Sequence, residues 1–417
     1  VGGRGYFVLD VSAPAQFAEQ DPARQVVLDR SDGADPDIGH QILEPTLDPA
    51  HAGRVLQFSR LNNGRWAVLL GNGVNSRNEN AVLLIQYLDG AKELLKLPTA
   101  VPVPAGAGAG AGAGNGLSTP RLIDFNGDGL VDVAYAGDQL GQLWKFDLSS
   151  ARPSDWGVAA PGRPIFVAED PQGRRQPITA APVWLPHPYG GVMLGLGTGR
   201  LLTLGDRSST GVQTLYGLWD TARVGLGGSG VQIGPAVPLG PGWRQLKPAP
   251  LVAQQRTEVV RQSLHTFYRS SRHPVNYLGP AAVRGWYMDL PTPREKALSN
   301  GVVLGRLWFQ RSLVPARSEP VDPAAPTCEL PLREAVSEEY LLDLFSGAPA
   351  PWPAFDTDGG GFTGTELADI SGWRSGPQAR LWQRSAGSEV LSLGRGVPLR
   401  LRVLGGPSAR IGWRQLQ

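Results

Sequence analysis

Leu117-Ser-Thr-Pro-Arg-Leu122, Val131-Asp-Val-Ala-Tyr-Ala-Gly137 and Gly141-Gln-Leu-Trp-Lys-Phe-Asp147 follow one another in the first half of the chain as three strand-like pieces in fixed order. Each is short, apolar or β-branched, and bounded by Gly, Pro or Asp, as in a buried strand that leads into a turn. The last piece recurs as Gly5-Tyr-Phe-Val-Leu-Asp10, Val82-Leu-Leu-Ile-Gln-Tyr-Leu-Asp89, Thr214-Leu-Tyr-Gly-Leu-Trp-Asp220, Gly285-Trp-Tyr-Met-Asp289 and Glu339-Tyr-Leu-Leu-Asp343. Successive Asp residues lie 54 to 79 positions apart, a loose period. Asp suits the final position because its carboxylate accepts hydrogen bonds from N–H groups of the turn that follows.

The other two pieces also recur. Trp66-Ala-Val-Leu-Leu-Gly-Asn-Gly73 and Val192-Met-Leu-Gly-Leu-Gly-Thr-Gly199 carry the Gly-rich turn, and Ile178-Thr-Ala-Ala-Pro-Val183, Leu298-Ser-Asn-Gly-Val302 and, more loosely, Ile42-Leu-Glu-Pro-Thr-Leu47 carry the first piece. A block of three or four antiparallel strands cannot bury both faces alone, whereas radial stacking of copies buries both and leaves only short edges. An all-β fold, a β-propeller, is expected. Helix-period patterns are nearly absent, and 330–344 is the one stretch where a short helix competes with a strand. The repeat continues throughout, so residues 1–417 read as one propeller domain with loop insertions near 101–116, 225–264 and 316–327. Trp66, Trp144, Trp286 and Trp413 read as packing between the repeats.

Composition agrees. The 417 residues include 55 Gly and 37 Pro, too many for a helical bundle, and 41% hydrophobic residues, enough for a core of native size. Lys and Arg number 39 against 37 acidic residues, a net charge of +2 that gives no polybasic field for nucleic acid or anionic lipid. The lone Cys328 can form no internal disulfide. No run approaches the roughly 20 apolar residues of a membrane-spanning helix. Val1-Gly2-Gly3-Arg4-Gly5 leads directly into an apolar strand, so the chain reads as a piece of a longer polypeptide with any export signal upstream.

One motif carries chemistry. Asp124-Phe-Asn126-Gly-Asp128-Gly129-Leu130-Val-Asp132 places oxygen donors at positions 1, 3, 5 and 9, with Gly at 6 and a backbone carbonyl, that of Leu130, at 7. This is the register of the first nine residues of an EF-hand loop, suited to Ca²⁺, a hard cation that takes six to eight oxygens. Tyr135 stands where the bidentate Glu would be, so Asp132 is expected to close a compact site. Three carboxylates this close repel one another without a cation. The bland alternative is a metal-free hairpin turn. A second cluster, Asp356-Thr-Asp358-Gly-Gly-Gly-Phe, starts alike but has Gly360 in place of a third donor; it reads as a turn, with Glu366 or Asp369 as the only source of a missing ligand.

Other chemistries fail. His40, His51, His187, His265 and His273 never pair at metal-ligand spacing, and neither G-x-S-x-G nor H-E-x-x-H occurs. Gly195-Leu-Gly197-Thr-Gly199 has no helix after it and reads as another Gly turn rather than a nucleotide loop.

The order Gly-Arg-Gly-Tyr-Phe-Val-Leu-Asp10, Leu61-Asn-Asn-Gly-Arg-Trp-Ala-Val68, Gly116-Leu-Ser-Thr-Pro120, the Asp124 loop, Leu143-Trp-Lys-Phe-Asp-Leu148 and Pro177-Ile-Thr-Ala-Ala-Pro182 resembles the C-terminal domain of the PilC/PilY-type type IV pilus biogenesis factors and tip adhesins. The resemblance spans almost the whole chain and is most specific from Asn115 to Leu148. It implies a modified seven-bladed β-propeller, with strands such as 399–404 and 411–416 closing the last blade. It also implies calcium held by Asp124, Asn126, Asp128, the Leu130 carbonyl and Asp132, and linked to the balance of pilus extension and retraction, hence twitching motility and attachment. Implied partners are minor pilins or the pilus tip complex and host or abiotic surfaces; the implied location is exported, at the cell surface or pilus tip, associated with the outer membrane. No Arg-Gly-Asp occurs, and the Pro-rich region around Cys328 lacks a second Cys. Two further readings compete: a quinoprotein-like propeller dehydrogenase, which lacks its adjacent Cys pair here, and an integrin-like protein-binding module, which calls for several intact calcium loops.

Overall fold

A computed structural model describes residues 2–17, 21, 24–42, 44–48, 54–99, 114–227, 230–262, 265–318, 332–375, 380–383, 389–393 and 399–402. Strands dominate; the one α-helix among the described residues is a single turn, Leu204–Ser208, held by a reciprocal cap between Thr203 and Asp206.

Four sheets carry the architecture. The first runs Leu94–Pro98, Val82–Tyr87, Trp66–Gly71, Phe58–Leu61 and Leu130–Val131, and the second runs Gly157–Val158, Gln142–Asp147, Val133–Gly137 and Arg121–Ile123, with Phe166–Val167 also pairing along Gln142–Asp147. The third runs Val183–Pro186, Val192–Gly197, Thr214–Asp220, Gly285–Asp289 and Val252–Gln254. The fourth runs Arg256–Gln262, His265–Ser270, Ile370–Ser375, Val336–Asp343, Leu307–Val314 and Val302–Leu304. In the second and third sheets the three pieces read from the sequence are successive strands, joined antiparallel in chain order, whereas the described residues of the copy at 42–47 form no strand and the copy at 5–10 lies in a two-stranded ribbon with Val26–Asp29.

The sheets stack face to face, and strand alternation shows how. In Val133–Gly137, Ala134 and Ala136 pack with Leu69, Leu83 and Ile85 of the first sheet, while Val133 and Tyr135 pack with Leu194, Leu196 and Tyr216 of the third. In the third sheet, Val192 and Leu194 face the second sheet, and Met193 faces Trp308, Tyr340 and Leu342 of the fourth. On the fourth, Phe309 and Leu341 turn the other way, onto Phe355, Leu399 and Leu401. Period-two patterning with both faces buried explains why these strands read as nearly continuous apolar runs. The radial arrangement of a propeller is the result.

Several expectations change. Thr214–Asp220 and Gly285–Asp289 pair directly within one sheet, so the Asp-ended marker does not count blades. The described residues hold four sheets of five or six strands and a three-stranded sheet, Arg380–Gln383, Glu389–Leu393 and Leu399–Arg402, together with two-stranded ribbons. The stretch 225–264 is no plain insertion: Val252–Gln254 extends the third sheet in parallel and Arg256–Gln262 is an edge of the fourth. Its polar sequence misled because an edge strand exposes alternate side chains. The ambiguous 330–344 contains the strand Val336–Asp343, flanked by neighbours on both sides. Leu399–Arg402 is a strand as expected, whereas 411–416, Trp413, Cys328 and most of the 101–116 and 316–327 segments lie outside the described residues.

Trp144 and Trp286 are fully buried between sheets, but Trp66 is 49% exposed. Glycine makes room for Trp286: a Cβ on Gly217 would stand 2.1 Å from its indole nitrogen, which donates to the carbonyl of Leu344 at 2.8 Å.

Candidate metal centre

The Asp124 loop joins Arg121–Ile123 to Val133–Gly137 in the second sheet. Phe125, 1% exposed, anchors its base edge-on to Trp184 at 6.0 Å. Gly127 and Gly129 adopt φ of 74° and 85°, with open space where a Cβ would stand, so the backbone conformation rather than crowding calls for glycine at both.

The loop winds around its own acidic side chains. Asp124 accepts from the N–H groups of Gly127 at 2.7 Å and Gly129 at 2.8 Å, one at each carboxylate oxygen. Asn126 Oδ1 accepts from Asp128 N–H at 3.1 Å, Asp128 Oδ1 from Leu130 N–H at 2.8 Å, and Asp132 Oδ2 from Phe125 N–H at 2.8 Å. Burial raises the Asp124 carboxyl above its ordinary value. It pushes Asp132 up to about 6, against the N–H of Phe125 and the amide of Asn62, and the nearby charges of Asp124 and Asp128 act in the same upward direction.

The donor set of carboxylates, an amide oxygen and a backbone carbonyl fits a hard divalent cation, and burial disfavours the charged form of Asp124 and Asp132. The side chains do not close on one point: among the described residues no three acidic, His or Cys side chains gather tightly enough to hold a metal. Asn126 presents its Nδ2 to Asp128 Oδ2 at 2.8 Å. Holding a cation would therefore require the Asn126 and Asp128 side chains to turn, with Asp124 and Asp132 already fixed by the backbone.

Two features escaped the sequence. Leu130–Val131 pairs in parallel with Arg60–Leu61, so the loop also belongs to the first sheet. Asn62, beside that seam, donates from Nδ2 to the Val131 carbonyl at 2.9 Å, the Leu148 carbonyl at 3.0 Å and Asp132 Oδ1 at 3.3 Å. Its only trace was the Asn-Asn-Gly turn at 62–64.

The second acidic cluster folds like the first. Asp356 accepts from Gly359 N–H at 2.8 Å and Gly361 N–H at 3.1 Å, with Gly359 and Gly361 at φ of 80° and 85°. Of the two residues considered as a missing ligand, Asp369 pairs instead with Arg272, and Glu366 accepts from Gly364 N–H at 3.0 Å. His187 is a packing residue, stacked on Trp219 at 4.2 Å.

The PilY1 beta-propeller domain family matches residues 1–237. Among curated proteins, the type IV pilus biogenesis factor PilY1 of Pseudomonas aeruginosa is 31% identical over 381 residues, 85% of this chain and 29% of that protein. A PilY1 homolog of Xylella fastidiosa is 34% identical over 332 residues, 76% of this chain and 20% of that protein. The crystal structure of the Pseudomonas aeruginosa PilY1 C-terminal domain matches with a TM-score of 0.71 at 27% identity, covering 96% of this chain and 79% of that one. The chain thus spans less than a third of the length of these curated relatives.

Proposed function

The chain belongs to the PilY1 beta-propeller family, and from that premise we propose that it is the calcium-binding, non-enzymatic propeller of a type IV pilus biogenesis factor and tip adhesin. In this role it is exported to the cell surface and pilus tip, works with minor pilins or the tip complex, supports assembly, opposes retraction, and so sets twitching motility and attachment. That the relatives are type IV pilus biogenesis factors supports the pilus reading.

The observation that carries the calcium reading is the Asp124 loop, five oxygen positions in calcium-loop register at a seam between two sheets. Bound there, calcium would neutralise carboxylates that otherwise repel one another. Asn62 ties Asp132 to the carbonyls of Val131 and Leu148, so order in the loop is coupled to the pairing of Leu130–Val131 with the first sheet. A cation that binds only the ordered loop stabilises the fold by RT ln(1 + [L]/Kd), which makes external calcium a switch acting through one place.

Thermal unfolding of the 417-residue chain and of Asp132→Ala, each with and without calcium, tests this. The wild type should gain stability with calcium and the variant should fold yet show no gain; an equal gain in both would overturn the site. In the full-length protein, neutralising Asp124, Asp128 and Asp132 should change twitching.

A further inference from the structure

We propose that a second site, at the end of the sheets opposite the Asp124 loop, binds an acidic sugar, a ring bearing both a carboxylate and hydroxyl groups. The proposal is independent of the calcium reading. Val133–Gly137 starts at the Asp124 loop and ends at the turn 138–141, so the two lie at opposite ends of one strand. At the far end, a cavity of about 590 Å³ opens between that turn, the connection 169–177 and the loop 198–213 of the third sheet. That volume is in the range of small-molecule sites.

Lys296 on the cavity wall is 2% exposed. Its Nζ donates to the carbonyls of Ser209 at 3.2 Å and Arg294 at 3.3 Å and forms no ion pair with a described residue. Asp206, whose field reaches it, is already taken by Arg200 at 3.0 Å and by the N–H groups of Leu202 and Thr203, both at 2.9 Å. Arg175, also on the wall, reaches Glu169 only at 3.9 Å. A buried cation without a counter-charge is costly, and an incoming carboxylate relieves that cost with a charge-assisted hydrogen bond.

The wall has a complementary need. Gln139 and Gln213 each carry a buried side-chain oxygen that accepts no hydrogen bond. These require a donor, which a bare anion does not bring and a hydroxyl does. Among the described residues, Pro177 and Val212 are the only apolar side chains in the lining, which leaves little for a fatty acid, an aromatic acid or an apolar peptide side chain to contact. Negative charge, hydroxyl donors and small apolar surface together describe a uronic acid.

Calorimetric titration of the 417-residue chain with galacturonate, methyl galactoside, acetate and acetyl-diglycine decides the matter. Galacturonate should saturate one site and bind about tenfold or more tightly than the other three. Lys296→Met should abolish that binding and Arg175→Gln, at the more exposed rim, should weaken it about threefold or more, with unfolding midpoints checking that each variant is folded. If Lys296→Met does not fold, Arg175→Gln decides. Absence of saturable uptake by the wild type, acetate or acetyl-diglycine binding as tightly as galacturonate, or unchanged binding by the folded variants would overturn the proposal.

Discussion

Asp132 is fully buried, stands beside two other carboxylates, and carries a carboxyl pushed up to about 6. Its neighbour Asn62 spreads one amide over three oxygens at the seam. Asn62→Ala should destabilise the chain by about 1–3 kcal/mol in urea unfolding, because buried acceptors lose their donor, and should also shrink the calcium-induced rise in melting temperature. An undiminished rise would detach Asn62 from the site. His187 offers a separate test. Burial against Trp219 and Tyr277 pulls its pKa down from 6.5 to about 4, so the unfolded chain takes up this proton at higher pH than the folded one. Its contribution is complete above about pH 6.5 and is lost as pH falls toward 4. Urea midpoints over that range should decline less in His187→Phe than in the wild type; parallel declines would contradict the assignment. The donors of the Asp124 loop were legible because they are adjacent in sequence, whereas Asn62 comes from another sheet and is brought there only by the parallel pairing of Leu130–Val131 with Arg60–Leu61.

Between elements, the second and third sheets share more than apolar contact. Lys145, on Gln142–Asp147, is fully buried and meets Asp220 at 2.8 Å, and Tyr135 donates to the same carboxylate oxygen at 2.7 Å. Lys145→Met should cost about 3–5 kcal/mol in urea unfolding because it leaves a buried charge unpaired, and adding Asp220→Leu should recover part of that loss. A double variant less stable than the single would refute this account. Gly217→Ala should also destabilise, by about 1–3 kcal/mol, since its methyl would strike Trp286. The strands themselves were legible from apolar runs and turn residues. The Asp marker was sound as turn chemistry: Asp147, Asp220 and Asp343 each accept from the N–H two residues on, at 3.0 Å. It failed as a blade count because Asp289 closes a strand paired to the one that Asp220 closes, and its carboxylate bonds Thr214 and Arg244 instead of a turn. Trp66 misled similarly, an aromatic on a strand whose side faces outward.

Across the whole molecule, the second, third and fourth sheets each lend one face to one core and the other face to the next, so local order at one seam bears on its neighbours. The Asp124 loop sits at such a seam and the Lys296 cavity at the opposite end of the same strands, which separates a proposed calcium switch from a proposed saccharide contact. The measurement that bears most directly on the calcium reading is a calorimetric calcium titration of the 417-residue chain beside Asp124→Ala and Asp132→Ala. The wild type should bind calcium saturably at the loop, and each variant, still folded, should lose that binding. Absence of saturable binding in the wild type, or full binding retained by both variants, would contradict the account.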